Sequence, residues 1–361
     1  MGQPSLFPNQ ETQDPLRIES IALEIPSLRI DNEDILAAVV ESNAAIPADQ
    51  VQRYCRELRF VLEKCGAREH YIRDRVHGET AFQLIVKAAH RALQEADTRA
   101  SEVDLLIYCG VGRGFLEPAN AYFLSRALGI TCECFDVLDA CMSWVRALQI
   151  AYRFFASGDY SRILIVNGEF NVLEHGYPEL LRGASREKLR YTFPAFTIGE
   201  ASTATVLSAG GGPWSFRFRS DPSHVNLCTV PLEGHADFCE PGESLAPNGI
   251  GQFMSYGHQL LKVALQQTVE FIRETYLAPG CFDWWFPHAA SAEMCRQAER
   301  MLGLDGKVCY EVFARYGNLV SASIPAGMRL ALEQGRLHRG HRVVLCPASA
   351  GMSFALVDFV Y

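Results

Sequence analysis

The chain has 361 residues, of which 48% are hydrophobic and 21% are charged, so it can bury a large core. Its formal net charge is -9 and its pI is near 5.6. Nucleic acids and anionic membrane surfaces bind basic footprints, so this charge argues against both as the main partner. The polar start has no apolar leader and no uncharged stretch reaches the ~18 residues of a membrane span. These features predict a cytoplasmic protein that does not cross a membrane.

Apolar patterns in the first part of the chain alternate between strand and helix. Residues 1–16 are polar and rich in proline, and we expect them to be disordered. Asp31 is the expected cap of a helix that follows the first strand. The predicted elements are a strand at 17–30, a helical stretch at 49–72, a helix at 79–97, a strand at 104–111, a helix at 117–130, strands at 131–140, 162–170 and 202–210, and an irregular insert at 171–198.

The second part of the chain repeats this alternation. Helices are predicted at 258–277 and 291–304, and strands at 281–288 and 352–360. Strands that alternate with helices imply parallel strands joined by crossovers, and so an α/β architecture. The glycine-rich segment at 210–214 is a candidate boundary between the halves, 17–210 and 211–361.

Cys141 follows a predicted apolar strand and begins a predicted long helix that has an apolar face. The free N–H groups at a helix N-terminus favour an anion, which predicts a lowered thiol pKa and a nucleophilic Cys141. The alternative is a small buried residue that fills the junction, since free cysteines are often buried. The twelve cysteines are scattered and form no CxxC pair, so reduced thiols are expected and a zinc site is not.

Three further segments carry possible chemistry, and each follows a predicted apolar strand. His288 comes after FDWWF, Asn318 lies in a Gly-Asn turn before a helix that begins near Pro325, and Ala350 lies in the small-residue segment 346–354. Each also has an ordinary structural interpretation, as a buried histidine, a turn and a tight hairpin. The order of these segments along the chain favours a functional interpretation over the structural one.

Five segments in order give the chain its resemblance to the β-ketoacyl-acyl carrier protein synthase III family of the thiolase superfamily, over roughly residues 66–361. They correspond to the nucleophile turn, a Gly-Asp-Gly-Ala segment, the histidine, the asparagine turn and a C-terminal glycine loop. In this chain they read DACMSW, IGEASTATVL, PHAAS, GNLVSASIP and PASAGMS. The C-terminal loop departs from the family, since Ser349 and Ala350 precede Gly351 where the family has a middle glycine.

The resemblance implies an α/β thiolase fold, in which two similar halves stack as five layers, αβαβα, and form a homodimer across the first half. Cys141 would carry an acyl group as a thioester. His288 and Asn318 would bind the carbonyl of a second thioester, and the backbone N–H groups of Cys141 and Ala350 would form an oxyanion hole. Acyl carrier protein or acyl coenzyme A would donate the acyl groups, and no cofactor is implied.

Glu117 lies before a proline that is expected to begin a helix. It is similarly placed to a glutamate of ketosynthases that join two acyl thioesters head to head, as in olefin and pyrone formation. In those enzymes the glutamate reaches across the dimer and acts as the base, because condensation without decarboxylation needs an α-proton removed. The alternative is a solvated residue at a helix start.

Other functions stay open from the sequence. The same fold could use a malonyl donor and lose carbon dioxide, or could form an ester or an amide with His288 as the base. A non-catalytic subunit of a heterodimer is less compatible with Cys141, since such subunits usually lack the nucleophile. A cysteine hydrolase would also use Cys141 and His288, but it would release free acid. We favour the head-to-head ketosynthase.

Overall fold

The computed structural model describes residues 16–174, 177–240, 245–275, 282–304, 306 and 308–361. In the first half the helices and strands are β1 (Leu16–Glu24), β2 (Leu28–Asp31), α1 (Asn32–Ser42), α2 (Ala48–Cys65), β3 (Glu69–Ile72), α3 (Ala81–Glu95), β4 (Leu105–Cys109), α4 (Asn120–Leu128), β5 (Glu133–Val137), α5 (Ser143–Ser157), β6 (Arg162–Glu169), α6 (Tyr177–Leu180), α7 (Arg186–Thr192) and β7 (Ala201–Ala209).

The second half contains β8 (Ser215–Ser220), β9 (Cys228–Thr229), β10 (Met254–Ser255), α8 (Gly257–Thr275), β11 (Trp284–Pro287), α9 (Ala292–Leu302), α10 (Phe313–Tyr316), α11 (Ser323–Glu333), β12 (Arg342–Cys346), β13 (Ala348–Ser349) and β14 (Ser353–Val360). No helix among the described residues is long and apolar enough to span a membrane.

Two mixed sheets have related strand orders. The first runs β1-β7-β6-β4-β5, with β4 parallel to β5 and to β6, and with β7 antiparallel to β1 and to β6. The second runs β8-β14-β12-β11, with β11 parallel to β12 and with β14 antiparallel to β12 and to β8. The prediction of parallel strands was therefore wrong for β7 and β14, the last strand of each half, which are antiparallel to their neighbours. Only the return from β12 to β14 is made without a helix, since α6 and α7 lie between β6 and β7.

Three cores separate the layers of the molecule. One packs α3 and α4 on the outer face of the first sheet, and another packs α8 and α9 on the outer face of the second. Between the sheets, α5 and α11 share a core that both sheets line, with Leu148 and Met328 buried in it. The order of layers is therefore helix, sheet, helix, sheet, helix, as predicted.

Local capping explains several helix starts. The Asp31 side chain accepts hydrogen bonds from the Glu33 and Asp34 N–H groups at the start of α1, as predicted. Thr80 caps α3 in the same way by accepting from the Gln83 N–H. These caps define where two helices begin. The apolar faces of both helices are evident in the sequence.

Several predicted boundaries were wrong. The strand at 17–30 is two strands, because Pro26 interrupts it between β1 and β2. The helical stretch at 49–72 ends at Cys65, where Gly66 adopts a left-handed conformation, and β3 follows. The insert at 171–198 contains α6, α7 and a 3₁₀ turn. The expected disorder at 1–16 falls on residues outside the described ones except for Leu16, which opens β1.

Candidate active site

Cys141 lies on a tight turn between β5 and α5. Ala140 has a φ of 44°, which is uncommon for a residue with a side chain, and a 3₁₀ turn spans Ala140–Met142. The Ser143 hydroxyl fixes this turn: it accepts from the Asp139 N–H at 2.8 Å and donates to the Ala140 carbonyl at 2.7 Å. Helix α5 begins at Ser143, not at Cys141 as predicted. The nucleophile candidate therefore precedes a helix N-terminus by one short turn.

A second turn of the same design leads into α11. Val320 has a φ of 50°, a 3₁₀ turn spans Val320–Ala322, and the Ser323 hydroxyl donates to the Val320 carbonyl at 3.0 Å. Ser321 occupies the position that corresponds to Cys141. The two turns pack against each other between the sheets. The fold therefore brings Cys141 next to the segment that follows Asn318.

Asn318 is held by backbone and side-chain hydrogen bonds. Its backbone N–H donates to the Thr197 carbonyl at 2.7 Å, and its carbonyl accepts from the Gly199 N–H at 3.1 Å. Its side-chain Oδ1 accepts from the Val320 N–H at 2.9 Å. Since the oxygen is occupied, the Nδ2 hydrogens are the groups with which this side chain can bind a ligand oxygen.

His288 directly follows β11 and is 6% exposed. Its Nδ1 lies 3.2 Å from the Ser323 hydroxyl, and its ring also forms a hydrogen bond with the Val320 backbone. Burial lowers the pKa of His288 to about 4, so the imidazole is neutral at pH 7. With the Ser323 hydroxyl donating to the Val320 carbonyl, Nδ1 carries the single proton of the neutral ring. The second nitrogen can donate to a substrate carbonyl in the other tautomer, in which the Ser323 hydroxyl turns to donate to Nδ1.

The electrostatics of Cys141 differ from the sequence-based prediction. Burial raises the pKa of the Cys141 thiol well above its ordinary value, and the neighbouring Cys228 and Glu169 raise it further. A hydrogen bond with the Ser349 side chain acts in the opposite direction. The prediction of a lowered pKa was wrong because burial and these neighbours outweigh the helix N-terminus. The free protein therefore holds Cys141 as a thiol at neutral pH.

Ala350 lies in the turn after β13, and β13 packs against the Cys141 turn. The preceding Ser349 is 3% exposed, and its hydroxyl donates to the Asp139 carbonyl at 3.3 Å. The small-residue loop therefore lies beside the nucleophile candidate. That the Ala350 N–H serves in an oxyanion hole stays a prediction.

Glu117 lies on an exposed loop, and the prediction that Pro118 begins a helix was wrong, because α4 begins at Asn120. Its neighbours Phe115 and Leu116 are large apolar residues that are 49% and 79% exposed. Within this chain Glu117 faces solvent, so any catalytic role would depend on a second chain.

Four residues near Cys141 were not predicted as site residues from the sequence: Glu169, Ser321, Cys228 and Ser349. Glu169 closes the apolar strand RILIVNGEF, and an acidic residue that ends such a strand could have been singled out. Ser321 could have been found from its place in the repeated turn. Among the described residues, no group of three or more histidine, cysteine or acidic side chains could hold a metal.

Comparisons with known proteins bear on the family and the fold. Residues 135–173 match the family described as 3-oxoacyl-[acyl-carrier-protein (ACP)] synthase III, and residues 272–359 match the C-terminal domain of that family. One segment in each half of the chain is therefore similar to this family. The predicted family resemblance and fold class are therefore confirmed.

Several relatives of this synthase III-like chain are known. β-Ketoacyl-[acyl-carrier-protein] synthase III from Xylella fastidiosa is 26% identical over 302 residues, which cover 82% of this chain and 87% of the relative. The synthase III of Xanthomonas campestris is 27% identical over 303 residues, with the same coverage of both chains.

Solved structures share the fold. OleA from Xanthomonas campestris, determined with bound lauric acid and lauroyl-CoA, superposes with a TM-score of 0.81 at 21% identity and covers 97% of this chain and 100% of that chain. 3-Oxoacyl-(acyl carrier protein) synthase III from Xanthomonas oryzae superposes with a TM-score of 0.77 at 22% identity and covers 96% and 99%.

Proposed function

We propose that this protein condenses two acyl thioesters by Claisen chemistry through an acyl-Cys141 intermediate, in specialised lipid or polyketide biosynthesis. The observation that carries the proposal is the packing of the Cys141 turn against the turn that follows Asn318, with His288 hydrogen-bonded to that second turn. A nucleophile and two carbonyl-binding donors are the groups that a condensing enzyme requires.

In the first half-reaction, the Cys141 sulfur attacks the carbonyl of an acyl thioester. The C–S bond of the donor breaks, a new thioester forms on Cys141, and the thiol proton ends on the departing thiol. Since the Cys141 pKa is raised in the free protein, the thiol must lose its proton in the course of this step to become nucleophilic. The backbone N–H groups of Cys141 and Ala350 would stabilise the tetrahedral oxyanion.

In the second half-reaction, a base removes an α-proton from the second thioester. The Nδ2 of Asn318 and the neutral ring of His288 would donate hydrogen bonds to the resulting enolate oxygen. The α-carbon then attacks the carbonyl of the acyl-Cys141 thioester. A C–C bond forms, the Cys141 sulfur leaves, and it regains a proton to complete the turnover.

Glu117 is our candidate for this base, acting from the partner subunit of a homodimer. Leu138, which is 58% exposed, precedes Cys141 by three positions, so apolar surface reaches the nucleophile turn. With Phe115 and Leu116 beside Glu117, this surface suits contact with a second copy of the chain.

Mixing two inactive variants tests this arrangement. If Glu117 acts across the dimer, Cys141→Ala and Glu117→Ala subunits form mixed dimers that contain one complete site. After subunit exchange, activity should return to about a quarter of wild type, because half of the dimers are mixed and each has one of its two sites intact. If mixing restores nothing while mixed dimers are present, Glu117 does not act across the dimer.

Product analysis separates condensation from the alternatives. With an acyl donor such as lauroyl coenzyme A, we expect a β-keto product whose new C–C bond survives mild base even where its thioester is hydrolysed. An ester-forming acyltransferase would give a product that mild base cleaves, and a hydrolase would give only free acid. A malonyl-dependent enzyme would condense only when malonyl thioester is added and would release carbon dioxide. Matched assays with acyl carrier protein and coenzyme A donors identify the preferred carrier.

A further inference from the structure

Glu169 is a fully buried carboxylate at the end of β6. It accepts hydrogen bonds from the Val111 N–H at 3.2 Å, the Gly112 N–H at 3.3 Å and the Asn171 side-chain amide at 2.8 Å. It also accepts from the Ser321 N–H at 3.2 Å and from the Ser321 hydroxyl. One side chain of the first half therefore satisfies donors from three segments, one of which belongs to the second half.

Glycines allow the chain to lie against this carboxylate. A Cβ on Gly110 would stand 2.9 Å from the Glu169 Oε1, and Gly110 has a φ of 119°. A Cβ on Gly112 would stand 2.4 Å from the Gly168 carbonyl oxygen. Both distances are too short for a side chain, so the loop can present its N–H groups to Glu169 only with glycine at these positions.

Ser321 links this carboxylate to the site. Its hydroxyl donates to Glu169 and accepts from the Asn167 amide at 2.6 Å, so its rotation is fixed. Ser321 lies on the same 3₁₀ turn as Val320, whose N–H holds the side chain of Asn318. A chain of direct contacts therefore runs from Glu169 to the group that would bind the enolate.

The Cys141 turn packs against the turn that carries Ser321, and the Ser321 hydroxyl donates to Glu169, so this carboxylate lies close to the nucleophile. Its negative charge is among the causes of the raised Cys141 pKa. Burial raises the pKa of Glu169 itself to about 7, so its charge changes near neutral pH. Strand β4 and the loop after it contribute Tyr108, Cys109 and Arg113 as further titratable or charged neighbours. Strand β5 contributes Asp136, which lies near Arg113. Burial raises the pKa of Tyr108 and Cys109, which keeps both neutral near pH 7.

We propose that Glu169 is a positioning residue that holds the Asn318 turn through Ser321 and restrains ionisation of Cys141 by its negative charge. The first effect would serve condensation and rests on the proposed function. The second effect concerns only the thiol, so it can be tested without any substrate. Glu169→Gln removes the ionisable group, whereas Ser321→Ala keeps the Glu169 carboxyl group and removes the hydroxyl link.

Alkylation of Cys141 tests the electrostatic effect. The rate of iodoacetamide modification, followed at the Cys141 peptide between pH 6 and 10, should rise about tenfold at pH 8 in Glu169→Gln, since loss of a nearby negative charge favours the thiolate. Ser321→Ala removes a hydrogen bond that lowers the Glu169 pKa, so it should shift the pH profile in the same direction but by less. A Glu169→Gln profile that coincides with wild type would overturn the electrostatic part of the proposal, whatever reaction the enzyme catalyses.

Separate rates for the two half-reactions test the positioning effect. Ser321→Ala should acylate Cys141 within about threefold of wild type but condense at least about tenfold more slowly, since only condensation uses the Asn318 donor. Equal losses in both half-reactions, or normal condensation, would overturn it. If Glu169→Gln does not fold, Ser321→Ala still decides this point. If wild type acylates but forms no C–C bond, the proposed function fails and the alkylation result stands independently.

Discussion

The buried carboxylate of Glu169 predicts a specific pH dependence of stability. Its pKa is raised from an ordinary 4.5 to about 7, so the folded protein binds this proton more tightly than the unfolded chain does. The stabilising contribution is fully present below pH 4.5 and is lost as the pH rises through 7. A shift of this size corresponds to about 3 kcal/mol of unfolding free energy between those limits.

Buried histidines act in the opposite direction. Burial lowers the pKa of His70 and His288 to about 4 from an ordinary 6.5. Their contribution is present above pH 6.5 and is lost as the pH falls through 4. Wild-type stability should therefore be greatest at intermediate pH, and only a comparison with a variant isolates Glu169.

Urea unfolding of wild type and Glu169→Gln at pH 5, 6, 7 and 8 makes this comparison. Relative to wild type, Glu169→Gln should gain about 2 kcal/mol of unfolding free energy between pH 5 and pH 8. The reason is that only wild type loses the stabilising proton on its buried Glu169 as the pH rises. The exposed Glu41 supplies the control, since Glu41→Gln should follow wild type across this range. Parallel curves for wild type and Glu169→Gln would refute the reasoning.

Three further predictions concern stability and catalysis. Arg73→Met should lower the free energy of unfolding by about 3–5 kcal/mol in a denaturant titration, since it leaves the fully buried Glu200 without its guanidinium partner at 2.9 Å; a loss below 1 kcal/mol would contradict this. Gly112→Ala should lower the melting temperature, because its Cβ would stand 2.4 Å from the Gly168 carbonyl oxygen, and an unchanged melting temperature would show that the loop relaxes freely. His288→Ala should still become acylated in an intact-mass assay but condense at least about a hundredfold more slowly, and wild-type condensation would remove His288 from the mechanism.

Much of the fold followed from local sequence signals. Apolar periodicity located most helices and strands, and the capping role of Asp31 could be predicted from a single residue. The ends of elements were harder, since Pro26 and Gly66 divide segments that look continuous in the apolar pattern. The antiparallel pairing of β1 with β7 depends on contacts between distant parts of the chain, which local patterns do not contain.

The candidate site could be located from the sequence, but its electrostatics could not. Cys141 and His288 each follow a strand, whereas Asn318 follows helix α10 and not the predicted strand. The folded chain places all three on or beside two adjoining turns. The raised pKa of Cys141 depends on burial and on two residues from other segments, Cys228 and Glu169. Such contacts arise only when the chain packs. The helix N-terminus, considered alone, therefore predicted the wrong direction for the shift of the Cys141 pKa.

Acylation followed by condensation on one cysteine tests the central claim most directly. Wild type, Cys141→Ala and the control Cys132→Ser, which changes another half-buried cysteine, are incubated with lauroyl coenzyme A and followed by intact-protein and peptide mass spectrometry. We expect a lauroyl adduct on Cys141 in wild type and in Cys132→Ser but none in Cys141→Ala. A second, isotopically labelled thioester should then convert the adduct into a product with a new C–C bond. The absence of an adduct on Cys141, or its conversion only to free lauric acid, would contradict the account.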